Sequence, residues 1–163
     1  MAPSKRITVL LAEDHAIVRQ GLCALLNTGG HFMVVGEART GREAVAMART
    51  LRPDVILMDI AMPILNGLEA TRQILSERTV PIVALTGHRT GIVERALEAG
   101  AVAHVLKPFD EGQLVGTITD VLAERATSEA EAEQRHYLIM IESMVRDGYS
   151  EREIDRRMRA LRR

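Results

Sequence analysis

The chain is poor in cysteine, in aromatic residues and in long apolar runs, and each shortage removes a class of function. Cys23 is the only cysteine among 163 residues, so no internal disulfide and no cysteine-built zinc cage can form. Tryptophan is absent, and Phe32, Phe109, Tyr137 and Tyr149 are the only rings of their kind. That is too few for a platform that stacks the bases of single-stranded nucleic acid. No unbroken apolar run, Tyr137 to Ile141 included, exceeds five residues. A bilayer span needs about 20. No secretory pattern is seen in the polar and basic start, Met1 to Arg6, so a cytoplasmic protein without membrane contact is expected. Neither sign of charge dominates: 21 Lys and Arg stand against 22 Asp and Glu, for a net charge of -1. Wholesale binding to nucleic acid or membrane is therefore not expected, though a local basic patch is compatible with it.

What is present is a globular balance, with 47% hydrophobic and 26% charged residues. The length suits one ordinary domain and a small appendage. Five short apolar runs recur: Ile7–Ala12, Met33–Ala38, Val55–Met58, Ile82–Leu85 and Ala103–Leu106. They read as strands buried on both faces, as in a parallel sheet. Segments of helical period lie between them. The stripes are Ile17, Val18, Gly21, Leu22, Leu25 and Leu26, then Ala44, Val45, Ala48 and Leu51 before Pro53. Leu68, Ile74 and Leu75 follow, then Ile92, Val93, Ala96 and Leu97, and last Leu114, Val115, Ile118, Val121 and Leu122. Cys23 falls off the first stripe and reads as an inert thiol.

Five strands each followed by a helix predict an α/β, doubly wound (βα)5 fold. Its commonest solution is the flavodoxin-like parallel sheet of order 2-1-3-4-5. In such a sheet, chemistry collects beyond the C-terminal strand ends, at the switch between strands 1 and 3. The residues there are Glu13 and Asp14, then Asp59, Thr86, and Lys107-Pro108. Three carboxylates in one crevice repel one another unless a hard divalent cation such as Mg2+ joins them. Lys107 adds a compact positive charge, Thr86 adds a donor, and the remaining gap suits a tetrahedral anion. Thr86 could also cap the following helix. A nucleotide- or flavin-binding enzyme of this fold needs a glycine-rich loop after strand 1, but Glu13-Asp14-His15-Ala16 occupies that place.

Ala12-Glu13-Asp14-His15, Met58-Asp59-Ile60-Ala61-Met62-Pro63 with Asn66-Gly67, Ala84-Leu85-Thr86-Gly87 and Leu106-Lys107-Pro108-Phe109 occur in that order. Over about Ile7 to Arg125 the sequence resembles the receiver domain of two-component response regulators. The resemblance implies that Asp59 is a phosphoacceptor fed by a sensor histidine kinase. It implies that Asp14, Asp59 and the Ala61 carbonyl hold Mg2+, with Glu13 acting directly or through water. It further implies that Lys107 and Thr86 bind the phosphoryl oxygens and that the Lys107-Pro108 peptide is cis. The chain would be a signalling phosphoacceptor rather than an enzyme with an external substrate. Two positions depart from the common pattern. The acidic pair is Glu-Asp instead of Asp-Asp, and the switch position holds His104 where Tyr or Phe is usual. An unperturbed imidazole titrates near pH 6.5, so pH could modulate that switch. His15 and His88 lie close to the crevice and read as loop residues rather than metal ligands.

The resemblance divides the chain into a receiver, residues 1–126, and a helical output or dimerisation tail, residues 127–163. Ser128-Glu-Ala-Glu131 and Ser150-Glu-Arg-Glu153 both fit a capping box, which predicts a short helical hairpin that breaks at Gly148. The first helix would carry Tyr137, Leu138, Ile141, Met144 and Val145 on one side, and the second Ile154, Met158 and Leu161. Gly148 to Met158 resembles the opening of a LuxR-type helix-turn-helix, whose groove-reading helix comes later than this point. DNA binding is accordingly the lesser expectation. The favoured one is a homodimer formed through the tail, with Arg156, Arg157, Arg159, Arg162 and Arg163 at its end. The surface expected to change on phosphorylation is the fourth helix, fifth strand and fifth helix, about Thr90 to Arg125.

Overall fold

Elements form where the apolar runs and stripes place them. The computed structural model describes residues 5–87 and 91–161. His88, Thr90, Arg162 and Arg163 therefore lie outside the described residues. The order is β1 (Ile7–Ala12), α1 (Ala16–Thr28), β2 (Phe32–Ala38), α2 (Gly41–Leu51), β3 (Val55–Asp59) and α3 (Gly67–Glu77). Then come β4 (Ile82–Thr86), α4 (Ile92–Glu98), β5 (Ala103–Leu106), α5 (Glu111–Arg146) and α6 (Glu151–Leu161). The five strands are parallel in the order β2-β1-β3-β4-β5. Two compact units result, Met1–Leu122 and Ala123–Arg163.

In the first unit, alternation along each strand supplies two cores. Val9, Leu11, Leu57, Val83, Leu85 and Val105 pack with α1 and α5 through Leu22, Leu26, Leu114 and Ile118. Leu10, Ala12, Ile56, Met58 and Ile82 pack with α2 and α3 through Ala44, Ala48, Ala70 and Ile74. Ala84 continues that second face toward α4 with Ala96 and Ala99. Because β3 and β4 are buried throughout, their sequences carry no polar alternation.

Three expectations need correction. The inward stripe of α1 is Arg19, Leu22, Cys23 and Leu26, an i, i+3, i+4, i+7 set; Arg19, Leu22 and Leu26 are buried and Cys23 packs on the core. Ile17 and Val18 lie off it, and Ile17 is 86% exposed. Cys23 is thus at the core edge, where burial and then the Glu37 charge push its thiol up to about 11. Thr86 does not cap the next helix, since α4 begins at Ile92 behind Gly91. Third, no helix starts at Ser128: α5 runs unbroken from Glu111 to Arg146. With neither glycine nor proline between Gly116 and Gly148, nothing takes the chain out of the helix before that serine.

In the second unit, α5 stops at Gly148, whose φ of 84° favours glycine. Gly148 N–H donates to Val145 O and Tyr149 N–H to Met144 O, the two bonds of a Schellman stop. At the start of α6 the Glu153 carboxylate accepts from Ser150 N–H at 2.9 Å and from the Ser150 hydroxyl at 2.6 Å. Ile154 and Met158 are buried, whereas Leu138, Ile139, Val145 and Leu161 are exposed. No helix among the described residues is long and apolar enough to cross a membrane.

Candidate functional site

The strands all end at one edge, and the ionisable residues follow directly. Glu13 continues β1, its N–H donating to Ala38 O of β2 at 3.0 Å. Asp59 is the last residue of β3, beside Leu85 of β4. Lys107 follows β5, its N–H donating to the Thr86 carbonyl at 2.7 Å, and its bond to Pro108 is cis. Gly67 opens α3 where an added Cβ would stand 2.1 Å from Asp59 O, so only glycine lets that helix approach the strand end. Asn66 fixes the helix start by accepting from Glu69 N–H at 3.0 Å.

The side chains converge. Lys107 Nζ lies 2.6 Å from Glu13 Oε2 and 3.4 Å from Asp59 Oδ2. Ala61 N–H donates to Asp59 Oδ1 at 3.1 Å. His15 Nδ1 is 3.1 Å from Glu13 Oε1 and 3.2 Å from Asp14 Oδ1. One donor atom each from Glu13, Asp14, His15 and Asp59 falls within 4.8 Å of the others. His15, read from sequence as a loop residue, thus sits at N-cap of α1 with its ring in this cluster.

Electrostatics separate the two buried carboxylates. Asp59 is pushed up to about 6, by burial first and then by the neighbouring Glu13 charge, which Lys107 only partly offsets. Burial also acts to raise Glu13, but the Lys107 hydrogen bond and charge, with the bonds from His15, outweigh it and hold that carboxyl below its ordinary value. Glu13 is the anion that Lys107 satisfies; Asp59 is the one left under-compensated.

A hard cation fits what remains. Asp14 Oδ1 is buried with no hydrogen-bond partner, and Asp59 faces more negative than positive charge. Oxygen donors dominate the set, as Mg2+ requires. The Thr86 hydroxyl oxygen is also buried without a partner, on a residue 1% exposed at the same sheet edge. His104 stands apart from the cluster, exposed on β5 and paired with Ala84.

Sequence reasoning passed over Arg19. It is buried, and its Nη1 donates to the Glu13 carbonyl at 2.9 Å. The available signal was its place on the i, i+3, i+4, i+7 stripe with Leu22, Cys23 and Leu26.

The family model for the response regulator receiver domain matches residues 9–119. The transcriptional regulatory protein PdtaR of Mycobacterium tuberculosis is 43% identical over 111 residues, which cover 68% of this chain and 54% of that protein. The chain thus spans about half the length of the curated relatives it matches first. A LuxR-family two-component response regulator from Aurantimonas sp. has a crystal structure that superposes with a TM-score of 0.70 at 33% identity, covering 80% of this chain and 99% of that one. The receiver domain of the sensor histidine kinase PA1611 from Pseudomonas aeruginosa, solved with magnesium coordinated in its active site cleft, gives 0.67 at 33% identity over 73% of this chain and 99% of that one. With its strand order, its strand-end carboxylates and this match over most of its length, the chain belongs to the response regulator receiver family.

Proposed function

We propose that the protein is a two-component response regulator that takes a phosphoryl group on Asp59 from a phosphohistidine of a sensor kinase. The observation that carries this is the convergence of Glu13, Asp14, Asp59 and Lys107 at one sheet edge. An Asp59 oxygen attacks phosphorus, the P–O bond forms as the P–N bond breaks, and the electron pair leaves on the histidine ring. Mg2+ bound by Asp14, Asp59 and the Ala61 carbonyl, with Glu13 reached directly or through water, would neutralise charge on the phosphoryl oxygens. Lys107 holds Glu13 before transfer and turns toward the phosphoryl group after it. The Thr86 hydroxyl, orphaned now, gains an acceptor in the same event. His104 is exposed before transfer, and its inward turn would couple the site to the α4–β5–α5 face. Beyond this self-catalysed chemistry the chain needs no enzymatic activity, and the reading places it in the cytoplasm with its kinase.

The output belongs to residues 127–163, read as a homodimerisation element of a receiver ending near residue 126. Exposed Leu138, Ile139, Val145 and Leu161 support that reading, because so few buried apolar residues in the second unit leave it in need of a partner surface. Arginines along α6 favour a second reading in which the tail contacts DNA as a transcriptional regulator.

The test is transfer from a phosphorylated kinase or acetyl phosphate with Mg2+, followed by size measurement and DNA retention. Label on the wild type and none on Asp59→Asn supports the reading. Equal label on both overturns it. A size unchanged by phosphorylation and by tail deletion overturns the dimer switch, and retention on DNA that falls with salt favours the second reading.

A further inference from the structure

Arg19 is the one buried arginine among the described residues, 8% exposed in the first turns of α1. A guanidinium withdrawn from water is costly unless its donors are filled. Two of its side-chain partners are consecutive backbone carbonyls. Its backbone N–H makes only the ordinary first bond of α1, to the His15 carbonyl at 2.9 Å. Nη1 donates to the Glu13 carbonyl at 2.9 Å and reaches the Asp14 carbonyl at 3.5 Å. The guanidinium thus takes the Glu13 carbonyl and reaches that of Asp14, two successive carbonyls of the β1–α1 loop. On its other side, Arg19 Nε lies 3.3 Å from Glu37 Oε1 on β2, a partner about half exposed.

The loop so held is the one that carries the acidic pair. Glu13 has its N–H bonded to Ala38 of β2 and its carbonyl to Arg19, while its carboxylate accepts from Lys107 Nζ and from His15 N–H. Asp14 has a buried Oδ1 that accepts no hydrogen bond and faces His15 Nδ1 at 3.2 Å, and its backbone carbonyl lies 3.5 Å from Arg19 Nη1. A loop of three residues between a strand and a helix has no other side chain in this role among the described residues.

We propose that Arg19 is a positioning residue of the cation site, setting Mg2+ affinity by fixing the Glu13 and Asp14 carbonyls. The inference rests on the proposed phosphoacceptor reading. The competing explanation is that Arg19 only pairs with Glu37 to join α1 to β2. The two explanations diverge on Glu37→Gln, which removes the anion and leaves the carbonyl bonds in place.

The experiment titrates Mg2+ alone into the full chain by calorimetry, and measures the Mg2+ concentration for half-maximal labelling by acetyl phosphate. Thermal unfolding without Mg2+ runs alongside. Arg19→Gln should weaken Mg2+ by about tenfold or more, the range seen when outer partners of metal ligands are removed. Arg19→Lys, which keeps one donor, should recover part of that loss. Glu37→Gln should keep wild-type Mg2+ affinity even where it lowers the melting temperature. Wild-type affinity in Arg19→Gln overturns the inference, as does an equal loss in Glu37→Gln. If Arg19→Gln fails to fold, Arg19→Lys decides: affinity below wild type with Glu37→Gln unchanged supports the proposal, and affinity equal to wild type overturns it. A wild-type chain that neither binds Mg2+ nor takes label overturns the phosphoacceptor reading itself, and the inference falls with it.

Discussion

Replacing Asp59 by Asn should make the Mg2+-free protein more stable at neutral pH, and the gain should disappear in acid. The Asp59 side chain is 5% exposed, and burial followed by the Glu13 charge pushes its carboxyl up to about 6 from an ordinary 3.8. The native state therefore binds this proton more tightly than the unfolded chain. Stability from this group is greatest below about pH 4, falls as pH rises through the interval to 6, and is flat above it. A difference of about two pKa units at about 1.4 kcal/mol each makes ionised Asp59 cost roughly 3 kcal/mol above pH 7. Asparagine has nearly the same shape and no charge, so the variant escapes that cost. Glu13 is shifted the opposite way and is common to both proteins. At roughly 3 °C per kcal/mol for a chain of this size, the variant should melt up to about 9 °C higher at pH 7.5. The assay is urea and thermal unfolding by circular dichroism, in chelator, at pH 4 and pH 7.5. Saturating Mg2+ should stabilise the wild type more than the variant and close the gap. An Asn variant no more stable than wild type at pH 7.5 would refute the reasoning. So would a gain of equal size at both pH values, because that would locate the effect in packing.

Three further substitutions probe the same edge of the sheet. Ile64 has φ of 68° and is 75% exposed, a left-handed backbone for a β-branched side chain that covers little. Ile64→Gly should relieve about 1–3 kcal/mol of strain against about 0.5–1 kcal/mol of added chain entropy, a net gain near 1 kcal/mol read as a higher urea midpoint. A lower midpoint would show that Ile64 is not strained. Gly67→Ala would drive a Cβ to 2.1 Å from Asp59 O and 2.8 Å from Ile60 Cα. A loss of at least about 2 kcal/mol is expected, with weaker Mg2+ binding because the backbone that yields carries Asp59; an unchanged melting curve contradicts the packing. Lys107→Met leaves Glu13, fully buried, without its cation, at a cost of about 3–5 kcal/mol. Glu13 then moves from below its ordinary value to above it, so on acidification from pH 7.5 to pH 5 the variant should gain more stability than the wild type, which gains through Asp59 alone, and an equal or smaller gain contradicts the pairing.

Much of this was legible because burial leaves a local trace. Runs such as Val55–Met58 and Ile82–Leu85, apolar at every position, mark strands covered on both faces, and β3 and β4 are buried along their whole lengths. The strand order then puts Glu13, Asp59, Thr86 and Lys107 at one edge without further information. Where local trace and tertiary packing disagree, sequence misleads. Ile17 and Val18 extend the apolar stripe of α1 on paper, yet the helix turns Arg19 inward, because the carbonyls of Glu13 and Asp14 need its donors. Ser128 has the spacing of a capping box, yet a cap works only where the chain is outside a helix, and nothing upstream takes it out. The hydrogen bond between Lys107 and Glu13 spans 94 positions and could be inferred only through the topology.

Everything proposed for this site depends on an Asp59 oxygen carrying the phosphoryl group as an acyl phosphate. The direct measurement is reductive trapping: incubate the full chain with acetyl phosphate and Mg2+, reduce with borohydride, and find the converted residue by peptide mass spectrometry. Homoserine is expected at position 59 alone, absent when Mg2+ is chelated and absent from Asp59→Asn. Conversion at another carboxylate, or the same yield without Mg2+, would contradict it.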